Sequence, residues 1–332
     1  MGVRKFDIQF FADDFLTLLD LKNSLEPGDA AIAGVAEVIA EENEILNDIP
    51  FARGNLLTGD VSYVRSAMPK SQIRKINDGI EASTSKKTPK TETCIELTSR
   101  GVVDMSELDI APDAAKYLMT ENKPHIAALG EDFAASIFYG KKSNGIVGLA
   151  SRYGKLSDED RQVVDFGGTG TNLSSVFCVK WDPQEVTGIY PKNSSAGLKV
   201  VPQSNIYYPG ENGKQMLAHV TEYKWMVGLK VRDRRFISRV CNIPVGEMDA
   251  DGMKRLLDTM IICKNRVYKV TQGRVCFYVS PDAYTMLEIA AMNKVNLALA
   301  YKELQSDTRL ITFAGIPIRQ NDCQLEPEER VV

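Results

Sequence analysis

The chain has 332 residues, 44% of them apolar and 25% charged, which is enough to bury a substantial core in one large domain or two modest ones and excludes global disorder. A formal net charge of −4 argues against a dedicated DNA-binding protein, and no apolar run approaches the roughly 20 residues of a membrane span. The charge is unevenly placed: residues 1–60 carry 12 acidic and 4 basic side chains, and residues 61–100 carry 4 acidic and 8 basic ones. Blocks of opposite sign can attract one another within a subunit or between copies, and two solvated faces are the equal alternative.

Residues 1–50 divide at Glu26-Pro-Gly-Asp29, a turn signal. Phe11, Phe15, Leu18, Leu19 and Leu21 precede it. Val35, Val38, Ile39 and Ile45 follow among acids, in a helix-like stretch over 30–46. Neither piece is apolar enough to stand alone. Residues 51–104 alternate weakly at 60–65 and 93–98, as two strands of a long hairpin would, with a polar, basic tip over 71–90. Such an excursion offers little apolar surface against its ordering entropy, unless a neighbouring copy supplies the buried surface. That favours an assembly protein.

Pro112 suits the first turn of a helix. Leu118, Ile126, Leu129, Phe133, Ile137 and Phe138 then keep the three-and-four spacing of one buried face up to Gly140, and Pro124 is expected to kink or divide that helix. Further on, 172–181, 188–191 and 197–201 are short strand candidates, and 219–243 gives the strongest strand signal. Asp249 to Cys263 is helical, with Met253, Leu256, Leu257, Met260 and Ile261 on one side. Residues 275–279 form a buried strand. Ser280-Pro281 opens a helix expected to run to about Leu304, and 310–319 reads as strand, Gly-Ile-Pro turn, strand. The fold class is α+β.

Candidate chemistry is thin. Gly167-Gly-Thr-Gly170 lacks the Gly-Lys-Ser/Thr and the following helix of a phosphate loop and reads as a loop hinge. Only His125 and His219 could serve a triad or a metal cluster. The six cysteines form no CxxC pair and read as small buried hydrophobes in a reducing compartment. The acids of 157–161, Glu41-Glu42 and 326–329 read as charged turns. Arg232-Asp-Arg-Arg235 reads as a set that pairs with carboxylates across a sheet or an interface. No catalytic, cofactor-binding or metal residues are expected, and no signal peptide is read, so the chain is expected to be made in a cytoplasm.

Residues 225–243, Trp-Met-Val-Gly-Leu-Lys-Val-Arg-Asp-Arg-Arg-Phe-Ile-Ser-Arg-Val-Cys-Asn-Ile, resemble a Gly-Leu-x-Val-Arg-Asp stretch of major capsid proteins of short-tailed bacteriophages, the Bordetella phage type among them. Thr312-Phe-Ala-Gly-Ile-Pro-Ile-Arg319 resembles the closing strand pair of tailed-phage capsid proteins, and the element order is similar to the Hong Kong 97-like capsid fold. The resemblance implies an N-terminal arm (1–50) and an extended loop (51–104). It implies a peripheral domain (105–165 and 306–332) with a spine helix (112–140), and an axial domain with remaining peripheral elements (166–305). It implies self-association into hexamers and pentamers of an icosahedral shell in the virion, assembled in the host cytoplasm around double-stranded DNA with at most non-specific contact. A cement or decoration protein, a scaffolding protein and the portal are the implied partners; no membrane and no cofactor are implied. No long scaffolding segment is read at the N-terminus, so a separate scaffold or none is expected. Lys86, Lys87 and Lys90 lie in the loop, but no Asn and Glu are singled out to crosslink with them. An encapsulin-like compartment protein and a cytosolic α+β enzyme are the alternatives.

Overall fold

The computed structural model describes residues 17–18, 35–36, 38–39 and 43–332, apart from 68, 70, 77–78, 80, 157–160, 195, 210–212, 247, 293–298, 304–308 and 325–326. Its larger sheet is built around three runs that carry apolar residues on both faces: β6 (Leu173–Trp181), β10 (Ile237–Pro244) and β11 (Arg274–Val279). Such runs suit strands covered from both sides, and every residue of β6 is buried. The strand order is β12 (Leu299–Glu303), β13 (Arg309–Phe313), β14 (Ile316–Gln320), β11, β6, β10 and β5 (Val163–Asp165). The β11–β14 and β10–β5 pairs are parallel and the others antiparallel. On one face, Val176, Cys178 and Phe277 meet Leu256, Met260 and Leu287 from helices over Ala250–Arg266 and Pro281–Met292. On the other, Phe177 and Tyr278 meet Phe138, at ring centroid distances of 5.2 and 5.9 Å.

A second sheet is organised by the 17-residue strand β9 (Gln215–Val231). β4 (Ile95–Asp104) pairs along one edge, from Ile95↔Val227 to Asp104↔Ala218. β7 (Val186–Tyr190) and β8 (Leu198–Pro209) share the other, and β1 (Phe51–Arg53) adds beyond β7. Between the sheets lies the long helix Ala114–Tyr139. Its Phe133 packs edge-on to Trp225 at 5.0 Å and against Phe51 at 6.3 Å. Ile126, Leu129, Phe133, Ile137 and Phe138 are all buried, as the stripe predicted.

In chain order, α1 is Glu44–Asp48, α2 Met105–Ile110, α3 Ala114–Tyr139, α4 Leu149–Arg152, α5 Ala250–Arg266 and α6 Pro281–Met292. Pro112 precedes rather than opens α3, because Asp113 is its N-cap and accepts a hydrogen bond from Lys116 N at 3.1 Å. Pro124 sits inside α3 and does not divide it. The second hairpin strand is β3 (Lys86–Thr93), paired with β2 (Gly59–Ala67), not 93–98. Only Cys94 separates β3 from β4, so the alternating run 93–98 straddles two strands in different sheets.

Residues 219–243 likewise split between β9 and β10, joined through a 3-10 turn at Arg234–Phe236. α6 ends at Met292, and Leu299–Glu303 is strand β12, so no helix reaches Leu304. The C-terminal turn is Ala314-Gly315, with φ of +49° and +81°, a mirror-image hairpin geometry that places Ile316 and Pro317 in β14. Ile261 does not join the apolar side of α5 and is 36% exposed. The readings on Phe11, Phe15, Leu19 and Leu21 lie outside the described residues. Leu18, Val35 and Ile39 are buried in the subunit's own core. Gly130 on α3 permits this approach: a Cβ there would meet Asn43 Nδ2 at 2.8 Å and Ile39 Cγ2 at 3.3 Å.

Candidate assembly surface

The residues of β2 and β3 explain why this hairpin stands apart. Lys86-Lys-Thr-Pro-Lys-Thr-Glu-Thr93 alternates threonine with charge and offers the core almost nothing: six of its eight residues are exposed. Among the described strands, β2 and β3 pair only with each other. Tyr63, opposite Pro89, is 59% exposed.

The root of the hairpin is fixed by charge. Lys230 of β9 pairs with Asp60 at 2.7 Å, and both side chains are mostly buried. Lys90 Nζ donates to the Val231 carbonyl at 2.6 Å and pairs with Glu92 at 3.1 Å. Arg152 of α4 grips Glu92 with two hydrogen bonds of 2.8 and 2.7 Å, the planar fork that guanidinium and carboxylate favour. Burial lowers the pKa of Lys90, Glu92 opposes that, and the Arg152 charge adds to it. A buried, well-paired root anchors the hairpin, and the tip is more open. Described residues from Ser71 to Ser85 are all exposed, including Ile73 and Ile76, whose side chains are open to solvent. Its two limbs meet where Glu81 N donates to Gln72 Oε1 at 3.3 Å.

The other sequence candidates resolve into structural roles. Gly167–Gly168 runs beside β10: Phe166 N and Gly168 N donate to the carbonyls of Cys241 and Asn242, and a Cβ on Gly168 would overlap the Asn242 carbonyl. The segment leads into strand β6, so no helix N-terminus stands ready for phosphate. His125 Nδ1 lies 3.1 Å from Ser99 Oγ, and His219 Nδ1 lies 3.4 Å from Asn205 Oδ1. Arg232 pairs with Glu185 at 3.0 Å and Arg235 with Asp233 at 2.7 Å, whereas Arg234 donates to the Arg152 carbonyl and stacks over Tyr153. The acids of 157–160 lie outside the described residues. Among the described residues no group of three or more His, Cys, Asp or Glu is placed to hold a metal ion, and no helix is long and apolar enough to cross a membrane.

Two buried ionic hubs were not visible in the sequence. Glu328, read as part of a charged turn, is buried: it pairs with Arg239 at 2.8 Å and accepts from Ser175 Oγ and the Tyr139 hydroxyl. The only hint was Arg239, a cation among apolar strand residues. Asp48, 0% exposed, pairs with Arg274 at 2.9 Å and accepts from Tyr278 Oη at 3.0 Å, which in turn accepts from Trp181 Nε1 at 2.8 Å.

A two-sheet α+β body with a firmly rooted, outstanding hairpin and ionic groups spent on internal ties is the construction of a structural protein that builds with copies of itself. The chain belongs to the major capsid protein GP7 family, whose model matches residues 27–332, and it is a virion shell protein of the tailed-phage type. No curated protein matches it. Among solved structures, a chain of the near-atomic cryo-EM structure of bacteriophage Epsilon15 is similar, with TM-score 0.61, 23% identity, and coverage of 86% of this chain and 88% of that one. The bacteriophage JBD30 capsid gives TM-score 0.48 at 10% identity over 82% and 88%. The holo-SrpI encapsulin complex of Synechococcus elongatus PCC 7942 gives 0.42 at 9% over 62% and 89%. Family membership favours the capsid reading over the compartment-shell and enzyme alternatives.

Proposed function

We propose that the subunit forms hexameric and pentameric rings of an icosahedral shell of the Hong Kong 97-like kind, with the β2–β3 hairpin laid over a neighbouring copy. In this reading residues 1–50 are the arm and the extended loop within 51–104 is centred on the β2–β3 hairpin. Residues 105–165 and 306–332 form the peripheral domain around the α3 spine, and 166–305 the axial domain with remaining peripheral elements. The observation that carries it is the hairpin itself, two strands without further pairing among the described residues and with two isoleucines open to water at the tip. Edge strands and exposed apolar side chains of this kind are costly unless an assembly covers them. A scaffolding protein, a decoration protein and the portal are the partners such a shell engages, and packaged DNA meets it through non-specific contact at most.

Electron microscopy of the purified chain, with and without residues 71–85, tests this. The full chain is expected to give closed shells. The shortened chain keeps β2 and β3 and is expected to melt as the full chain does while giving no shells. Normal shells from the shortened chain refute the overlapping hairpin.

A further inference from the structure

A cleft of about 600 Å³ opens between the end of α5, the loop that follows it, the start of β11 and the β13–β14 turn. Four charged residues line it: Lys264, Arg274 and Arg319 against Asp48. Each is placed by its own element. Lys264 lies in the last turn of α5, where a cation complements the helix dipole. Arg274 opens β11, and Arg319 of β14 sits beside Tyr278 in that parallel pair. Asp48 ends α1 and lies buried at the base of the cleft. The fold leaves much of this cationic capacity unmet. Asp48 receives Arg274 Nη2 on Oδ1 at 2.9 Å and the Tyr278 hydroxyl on Oδ2 at 3.0 Å. Arg319 has only long contacts, 3.4 Å from Nε to Asp48 Oδ2 and 3.4 Å from Nη1 to Glu44 Oε2, and its buried Nε makes no hydrogen bond. The Lys264 ammonium has no hydrogen bond or ion pair among the described residues.

Three cations against one buried carboxylate and the exposed Glu44 give a local positive excess on a chain of net charge −4. The cations continue past the rim. On the loop after α5, Lys269 and Arg235 lie 5.4 and 4.6 Å from the exposed ring of Tyr268, with Asp233 tied to Arg235 at 2.7 Å. Guanidinium forks match the oxygens of a phosphate group, and an ammonium adds a point charge. The volume exceeds what a single small ion fills, and Val270 and Ile316 supply an apolar wall against which a sugar can lie. Resting on the shell reading above, we infer that this cleft is a phosphate-binding site, filled in the loaded shell by the backbone of the enclosed double-stranded DNA. Lys264 and Arg319 meet the phosphate. Arg274, bound to Asp48 and to the Asn47 carbonyl at 2.9 Å, positions the base of the site. Contact with the backbone alone carries no preference for base sequence and weakens with salt.

Binding of a short fluorescent DNA duplex to the purified full-length chain, followed by anisotropy, tests the site. Lys264→Glu combined with Thr271→Glu reverses the charge of the cleft and leaves the ties to Asp48 in place. That variant is expected to bind the duplex roughly tenfold more weakly at low salt, with a log–log salt slope shallower by about 1, and to melt as the unaltered chain does. Lys116→Glu with Thr120→Glu makes the same change of net charge on the exposed start of α3 and is expected to cost less than about twofold. Equal losses in the two variants, or no loss in the cleft variant, overturn the inference and leave the shell reading standing. Inorganic phosphate is expected to displace the duplex and to raise the melting temperature of the unaltered chain but not of the cleft variant. If phosphate protects the unaltered chain alone while both chains bind the duplex equally, the cleft holds the free ion and the DNA occupant is overturned. Weakened duplex binding in the cleft variant, with no closed shells from the unaltered chain, supports the site and overturns the shell reading instead.

Discussion

Arg239 is 3% exposed in a strand whose neighbours are nearly all apolar, and its charge is met by Glu328, contributed from the far end of the chain. The same guanidinium donates to Ser175 Oγ and the carbonyl of Tyr153, and Asn242 exchanges hydrogen bonds with the backbone of Val331. These contacts stitch the C-terminal residues across β6 and β10. Breaking a buried pair by removing one partner leaves an uncompensated charge, at a cost of about 3–5 kcal/mol. Glu328→Gln is therefore expected to lower subunit stability by that order in urea unfolding, whereas Arg235→Gln, at an exposed turn pair, changes it by less than about 1 kcal/mol. The buried thiols add a pH signature. Burial pushes Cys94, Cys241 and Cys276 up to about 12 from an ordinary 9.0. Between those values the folded chain holds protons that the unfolded chain releases. Their contribution is full below pH 9 and is lost as pH rises towards 12. Lys90 and Lys180, lowered by burial, act in the opposite sense. Three thiols pushed far up outweigh them, so the unfolding midpoint is expected to fall from pH 9 to 11, and to fall less in Cys276→Ala.

At the scale of elements, the absence of a side chain at Gly101 of β4 lets α3 pack close against that strand. A Cβ there would overlap Asn122 Oδ1 on α3, and Asn122 is buried at 5% exposure with little room to retreat. Gly101→Val is expected to cost about 1–3 kcal/mol by overpacking, read as a lowered melting temperature. Pro124 makes a milder statement. It lacks the N–H that would reach the Thr120 carbonyl, yet α3 continues through it, its later half held by the buried stripe. Pro124→Ala is expected to raise helicity and melting temperature. If Pro124 lets α3 flex so that a subunit fits both five-fold and six-fold positions, the same variant yields aberrant shells, which micrographs would count. The stripe on α3 was legible because a period of 3.6 survives any environment. Strand partners were not: with only Cys94 between β3 and β4, nothing local marks the change of sheet. The basic tip, by contrast, was readable from composition.

For the whole molecule the two kinds of electrostatics separate. Asp60–Lys230, Glu92–Arg152 and Glu328–Arg239 are internal pairs with mostly buried side chains, beyond the reach of mobile ions. The net −8 of residues 1–60 and the +4 of residues 61–100 include charges that lie at the surface. Exposed charges are screened over about 8 Å at physiological ionic strength and about 3 Å at 1 M. Raising salt is therefore expected to leave the melting temperature of the isolated subunit nearly unchanged while slowing shell formation severalfold, as followed by light scattering. The order of the two responses is the point. Were assembly flat from 0.05 to 1 M salt, on the order of one Debye length to another, apolar contacts such as those of Ile73 and Ile76 would carry the interface alone, and the opposed charge blocks would be surface decoration. A fall in subunit stability with salt, rather than in assembly rate, would instead place the sensitive pairs inside the fold, against the burial seen at Asp60, Glu92 and Glu328.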